Sequence, residues 1–128
     1  MSRSLRTPLG RVRGLGSAKD GTEHWWRQRL TAVANLPLVI WFTVSVIALV
    51  DADHATVVAW IRDPVVSILL VLMLANLFYH LRLGVQVVIE DYVHAEGLKV
   101  AGMVALTFAT VLVAAASIFA VLRISFGG

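Results

Sequence analysis

Cysteine is absent from the 128 residues. Disulfides, thiol catalysis, cysteine zinc sites and cysteine-ligated iron–sulfur clusters are therefore excluded within this chain. Charge is scarce as well. Only 15% of residues are charged, against 59% hydrophobic, and mean hydropathy is +0.81. A soluble domain this short carries more charge and interrupts its apolar runs more often. No internal repeat and no low-complexity segment occurs.

Three long apolar runs fill the chain instead: residues 30–50, 65–90 and 100–122. Each approaches or exceeds the roughly 20 residues needed to cross the hydrocarbon core as a helix. The expected fold class is an all-α membrane protein with three transmembrane helices. The first span contains Pro37, which membrane helices tolerate and which is expected to bend this one. The third span carries no charge until Arg123 stops it. Its Thr107, Thr110 and Ser117, with Gly102 and Ala105, suit close packing against a neighbouring helix.

The connecting segments follow. Residues 1–29 form a basic N-terminal segment. Its first 22 residues are rich in Arg, Gly and Ser and show no helical stripe; they are either a flexible tail or a segment ordered against a partner. This polar stretch is longer than the charged region of a cleaved signal peptide. Residues 51–64 form the first loop, residues 91–99 the second with Gly97 as a break, and residues 123–128 the C-terminal tail. Within the first loop, residues 57–61 suit a short interfacial helix anchored by Trp60. Pro64 suits the first turn of the second span, where its missing N–H costs little.

Net charge is +3. Seven of the eleven Lys and Arg residues lie before the first span: Arg3, Arg6, Arg11, Arg13, Lys19, Arg27 and Arg29. The loop of residues 51–64 has one basic residue, Arg62, against Asp51, Asp53 and Asp63. Positively charged segments stay on the cytoplasmic side. The N-terminus is therefore expected in the cytoplasm and the C-terminus in the periplasm. The same asymmetry explains the basic tail without a nucleic-acid partner. Trp25 and Trp26 beside arginines suit the headgroup layer of the bilayer.

His80 lies deep in the second span. An ionisable side chain at that depth is costly and marks a functional site by default. At 100° per residue, Gly84, Val87 and Asp91 follow His80 on nearly one face, and Asn76 lies close to the same stripe. Arg82 lies on roughly the opposite face, near enough to the helix end to reach outward. Three readings of His80 are open. It is a hydrogen-bonded histidine between packed helices, a haem ligand, or part of a proton relay. Imidazole is a common axial ligand for haem iron. Gly84, one turn away, removes a side chain that would strike a flat ring; it equally suits helix packing. His24, His54 and His94 lie near or outside the membrane faces, so a second axial ligand at the same depth would come from another chain.

Asp91 lies about 16 Å along the helix from His80 at the usual rise per residue. It is expected at the cytoplasmic boundary with Tyr92 beside it. A phenolic hydroxyl near carboxylate and arginine groups suits a quinone carbonyl; a polar helix end with an interfacial tyrosine is the plainer reading. Arg29 is the last charge before the first span. It suits a haem propionate, a quinone or a lipid phosphate.

The run His80-Leu-Arg-Leu-Gly84-Val-Gln-Val-Val-Ile-Glu-Asp91-Tyr92-Val-His resembles the D-type hydrophobic membrane anchor subunit of succinate dehydrogenase. The segment His24-Trp-Trp-Arg-Gln-Arg29-Leu-Thr31-Ala32 resembles the same family. So does the tail from Arg6 to Lys19, which is similar to alphaproteobacterial forms. The resemblance covers nearly the whole chain. It implies a four-subunit respiratory complex II in the bacterial inner membrane. The implied partners are a flavoprotein, an iron–sulfur subunit, a second anchor of C type and the lipid bilayer. The implied cofactor is haem b, shared with the other anchor, and the implied substrate is ubiquinone. Carried over by position, His80 is the axial ligand with Gly84 beside it. Tyr92, next to Asp91, hydrogen-bonds the quinone, and Arg29 stands near the haem propionates or the quinone pocket. The chain alone catalyses nothing. The competing readings are the anchor of a quinol:fumarate reductase and a cofactor-free structural or assembly protein. Transport is disfavoured by the few polar groups within the spans.

Overall fold

A computed structural model of the protein describes residues 7–9 and 18–128. Most of the basic tail lies outside the described residues. So does the choice between a flexible and an ordered tail for residues 1–6 and 10–17.

Four helices make up the described chain from residue 18 onward: α1 (Ala18–Ala48), α2 (His54–Arg62), α3 (Pro64–Tyr92) and α4 (Glu96–Ser125). Three of them are long and apolar enough to cross a membrane: Gly21–Ala48, Pro64–Tyr92 and Glu96–Ser125. In a bilayer only helices and closed barrels satisfy every backbone polar group internally, which is why these runs fold as helices.

α1 begins well before its apolar run. Gly21 and Thr22, expected in a segment without a helical stripe, are helical. Glu23 and Arg27 form an ion pair one turn apart on the surface of this extension. The helix continues through Pro37 to Ala48.

Asp63 sets the sharp corner between α2 and α3. Its carboxylate accepts from the backbone N–H of Val65 at 2.9 Å and of Val66 at 3.2 Å. Pro64 opens the first turn of α3, where no helical N–H is missed. Asp53 caps α2 in the same way, accepting from the Thr56 N–H at 2.9 Å. Trp60 does more than anchor an interface. Its ring stacks on Trp41 of α1 with centroids 5.8 Å apart and planes 26° apart.

The turn between α3 and α4 spans only residues 93–95. Gly97, expected to break the chain, instead lies in the first turn of α4. There the backbone N–H groups have no intrahelical partner to lose, and Glu96 complements the helix dipole. α4 ends at Ser125 with Phe126 as its cap, followed by Gly127 at φ +85°, a left-handed conformation that only glycine adopts cheaply.

The three long helices run antiparallel in a row with α3 in the middle. α3 packs against both α1 and α4; α1 and α4 do not meet among the described residues. Gly102 of α4 faces Ile89 of α3: a Cβ there would stand 3.7 Å from the isoleucine side chain. At the other end, Ser67 donates to the Ile61 carbonyl at 2.6 Å and meets Ser125 at 2.8 Å. Arg62 donates to the Ile124 carbonyl at 3.2 Å, so α2, α3 and α4 are tied together there. Thr110 and Ser117 instead donate to carbonyls of their own helix.

Among the described residues the buried set is small and half polar: Leu70, Met73 and Leu83 beside Thr31, Asn35 and Ser67. α4 buries nothing fully. This suits a lipid setting. Apolar surface gains little by turning inward there, and interhelical hydrogen bonds and close packing hold the helices together.

Candidate functional site

The site grows from matching pairs on facing helices. Thr31 and Asn35 lie one turn apart on α1; Asn76 and His80 lie one turn apart on α3. Antiparallel packing puts Thr31 opposite His80 and Asn35 opposite Asn76. The His80 Nδ1 lies 2.9 Å from the Thr31 hydroxyl. The Asn76 amide donates to the Thr31 carbonyl at 2.9 Å and to the Asn35 side-chain oxygen at 2.8 Å. Thr31 and Asn35 are only 8% and 9% exposed, so this ladder is shielded from water or lipid headgroups.

His80 itself is half-buried. Its second ring nitrogen, Nε2, has no hydrogen-bond partner among the described residues. One ring nitrogen is thus engaged by the protein and the other is left for something else. No group of three or more metal-binding side chains occurs among the described residues.

Gly84 follows one turn on and faces α1. A Cβ there would meet only the end of the Gln28 side chain, at 3.8 Å, an ordinary contact. Packing within this chain therefore does not require glycine at that position. Gln28 Oε1 and His24 Nε2 are enclosed, with no hydrogen-bond partner among the described residues.

Asp91 and Tyr92 occupy the last two positions of α3. Both are exposed, Tyr92 at 78%, and its hydroxyl makes no hydrogen bond to the described chain. Asp91 keeps the same helical stripe as His80 and Gly84, because α3 is unbroken between them. Arg29 is not brought to this stripe. It lies two positions before Thr31, about 200° around α1. Its guanidinium sits 5.0 Å from the centre of the Trp25 ring. That cation–aromatic contact holds it on the outer face near the helix entrance.

Arg82, expected to reach outward, turns onto α4 instead. Its Nε and Nη2 each lie 3.4 Å from the Thr107 hydroxyl, a long contact. It also lines a cleft of about 500 Å³ between the start of α1 and the end of α3, with His24, Arg27, Tyr79, Gln86 and Glu90. Gln86 donates to Glu90 at 2.8 Å along its rim. His80 does not line this cleft.

Thr31, Asn35 and Gln28 are site residues that the sequence reading did not single out. A signal for the first two was present. Polar residues spaced i, i+4 on one span and again on the next are matched partners for antiparallel helices.

Comparison with known proteins fits this architecture. The model of the succinate dehydrogenase/fumarate reductase transmembrane subunit family matches residues 3–114. A succinate dehydrogenase hydrophobic membrane anchor subunit of Rickettsia bellii is 31% identical over 121 residues, covering 94% of this chain and 97% of the relative. The subunit of the same name from Paracoccus denitrificans is 28% identical, covering 94% and 93%. A succinate dehydrogenase membrane anchor subunit of Reclinomonas americana is 29% identical over 85 residues, covering 64% and 71%. No solved structure matches. The chain belongs to the succinate dehydrogenase/fumarate reductase transmembrane subunit family, and it is a multi-pass membrane protein consistent with a bacterial inner-membrane anchor subunit.

Proposed function

We propose that this chain is the D-type hydrophobic membrane anchor of an alphaproteobacterial succinate dehydrogenase. It docks the flavoprotein and iron–sulfur subunits to the membrane, packs with a C-type anchor, and helps bind haem b and ubiquinone. Its N-terminus is cytoplasmic and its C-terminus periplasmic, a reading supported by the excess of basic residues before the first span. The relatives from Rickettsia and Paracoccus, which share nearly the full length, support the D-type assignment.

The observation that carries the haem role is the state of His80. Its Nδ1 is held by Thr31 inside a membrane-spanning helix, and its Nε2 is unengaged among the described residues. A metal-binding histidine has this form: one nitrogen fixed by a second group, the other free to ligate. Gly84, one turn on, adds no side chain beside it, and this chain's own packing does not explain the glycine. The residues therefore fit a haem, which His80 would help hold together with a donor from the other anchor. A b-type haem held there supplies one-electron transfer, while this chain supplies the ligand and its orientation.

Tyr92 and Asp91 stand at the end of α3 with side chains exposed. In the complex, Tyr92 donates a hydrogen bond to a quinone carbonyl and Asp91 lies beside it. Arg29, on the outer face of α1, meets haem propionates or the quinone pocket contributed by partners. The whole complex oxidises succinate and reduces quinone; this chain positions and does not catalyse.

The test is a reduced-minus-oxidised visible spectrum of the complex purified through this chain, wild type beside His80→Ala. A b-type signal lost or shifted in the variant, with partners still bound, supports the reading. A wild-type complex intact in subunits but without that signal overturns the haem role. The family includes fumarate reductase subunits. The anchor of a quinol:fumarate reductase is therefore the second reading, separated by comparing the two directions of turnover in the purified complex.

A further inference from the structure

We infer that Thr31 is a positioning residue for His80, fixing the imidazole with its proton on Nδ1 and its lone pair on Nε2. The inference rests on the reading of His80 as a ligand and names what makes it ready to act as one.

The argument is one of proton counting. The Thr31 hydroxyl has a single proton and three neighbours: the Arg27 carbonyl at 2.7 Å, the Gln28 carbonyl at 3.0 Å and His80 Nδ1 at 2.9 Å. Both carbonyls can only accept. If the hydroxyl gave its proton to Nδ1, its lone pairs would face two carbonyl oxygens at hydrogen-bond distance. That is repulsive, and the site is too enclosed for water to relieve it. If the proton goes to the Arg27 carbonyl, the nearer of the two, Oγ1 accepts from Nδ1–H and only the Gln28 contact is left without its own proton, against two such oxygen–oxygen contacts in the first arrangement. The second arrangement leaves Nε2 unprotonated.

The frame around Thr31 is held independently. Asn76, one turn before His80, donates to the Thr31 carbonyl and to Asn35. α3 is thereby pinned to α1 at two successive turns, and the two helices cannot slide past each other there without breaking both bonds. In metal sites generally, the group that accepts from the second imidazole nitrogen sets tautomer and ring orientation, and its loss weakens metal affinity by about 10–100-fold.

The experiment uses the full chain, labelled with ¹⁵N-histidine, in phospholipid vesicles. Solid-state NMR distinguishes protonated from unprotonated ring nitrogens, and the His80 signals are assigned by their loss in His80→Gln. The expected result is a single form protonated at Nδ1 in the wild type and in Thr31→Ser, and a mixture in Thr31→Val. Haem-to-flavin ratio in the assembled complex is read in parallel, with retention about 10–100-fold weaker for Thr31→Val and restored by Thr31→Ser. A wild-type His80 protonated at Nε2 overturns the inference, as does a Thr31→Val chain that keeps the pure Nδ1-protonated form. Should Thr31→Val fail to accumulate, the wild-type tautomer still decides. A wild-type complex lacking a b-type signal removes the ligand reading instead, and the NMR result stands or falls separately.

Discussion

Asn76 of α3 meets Asn35 of α1 side chain to side chain at 2.8 Å, one turn from the Thr31–His80 contact. Such a contact specifies the relative register of two helices that could otherwise slide. Its energy is modest, because a separated helix in lipid finds other partners; interhelical hydrogen bonds average about 0.6 kcal/mol and reach about 1.7 kcal/mol. Asn76 makes a second bond to the Thr31 carbonyl. Asn76→Ala is therefore expected to weaken the α1–α3 pairing by about 1 kcal/mol. Reversible unfolding in mixed micelles measures it. A double-mutant cycle with Asn35→Ala should recover a positive coupling; strictly additive losses would contradict the contact.

Gly84 separates chain packing from ligand packing. Gly84→Ala adds a methyl that meets only Gln28 at an ordinary distance. The variant should not destabilise the chain, and the better helix propensity of alanine should add up to about 1 kcal/mol. A larger side chain, Gly84→Leu, should lower the haem-to-flavin ratio of the complex while all subunits still copurify. A full haem complement in Gly84→Leu would show that no ring approaches this face.

Tyr92 is bound to nothing in the described chain through its hydroxyl, so removing that oxygen costs the fold little. Tyr92→Phe should leave assembly and electron transfer from succinate to a soluble dye unchanged. Succinate:quinone turnover should fall about tenfold, the equivalent of about 1.4 kcal/mol of lost hydrogen bonding. Equal losses in both assays would place the defect elsewhere.

Asp53 gives the short helix α2 a pH dependence. The hydrogen bonds with Thr56, side chain first and backbone N–H next, hold its carboxyl below the ordinary aspartate range. A depressed folded-state value means the ionised form is favoured by folding. The stabilisation is full above the ordinary aspartate range and is lost as pH falls through it toward the depressed value. Amide hydrogen exchange across α2 should therefore accelerate more than the intrinsic rate predicts over that acidic window. Asp53→Asn keeps a capping oxygen without the charge and should flatten the effect. Persistence of the full pH dependence in Asp53→Asn would assign it to another group.

The three apolar runs and the place of Pro64 at the first turn of the second span were legible because each is a local property: length, hydropathy, a proline at a helix entrance. The depth of His80 was legible for the same reason. What it touches was not. The Thr31–His80 contact joins residues 49 apart, and only the antiparallel pairing of α1 with α3 brings them together. The repeated i, i+4 spacing of Thr31 with Asn35 and Asn76 with His80 carried that information, but it becomes a contact only once the register is known. Arg82 was misplaced for a related reason. Near a helix end a long cation can reach headgroups or a neighbour, and the Thr107 hydroxyl on α4 decides it. Gly97 read as a break because its intrinsic helix propensity is poor, yet at the first turn of a helix that penalty is smallest. The chemistry of Tyr92, Asp91 and Arg29 is not legible from contacts within one chain, since Tyr92 and Asp91 are exposed at the end of α3 and Arg29 meets only the Trp25 ring of its own helix.

Among the described residues α1 and α4 do not meet and α3 lies between them, so the chain is modular across the plane of the membrane except where α2 reaches α1 through Trp60 on Trp41 and α4 through Arg62 on Ile124. Each long helix satisfies its own backbone, so either pairing can open while the other stands. Loss of structure is then a matter of successive separations with distinct midpoints, rather than the all-or-none collapse of a soluble domain. The pairing that carries His80 and the one that carries Arg82 can be weakened one at a time, and the chain should tolerate damage to the second without surrendering the first.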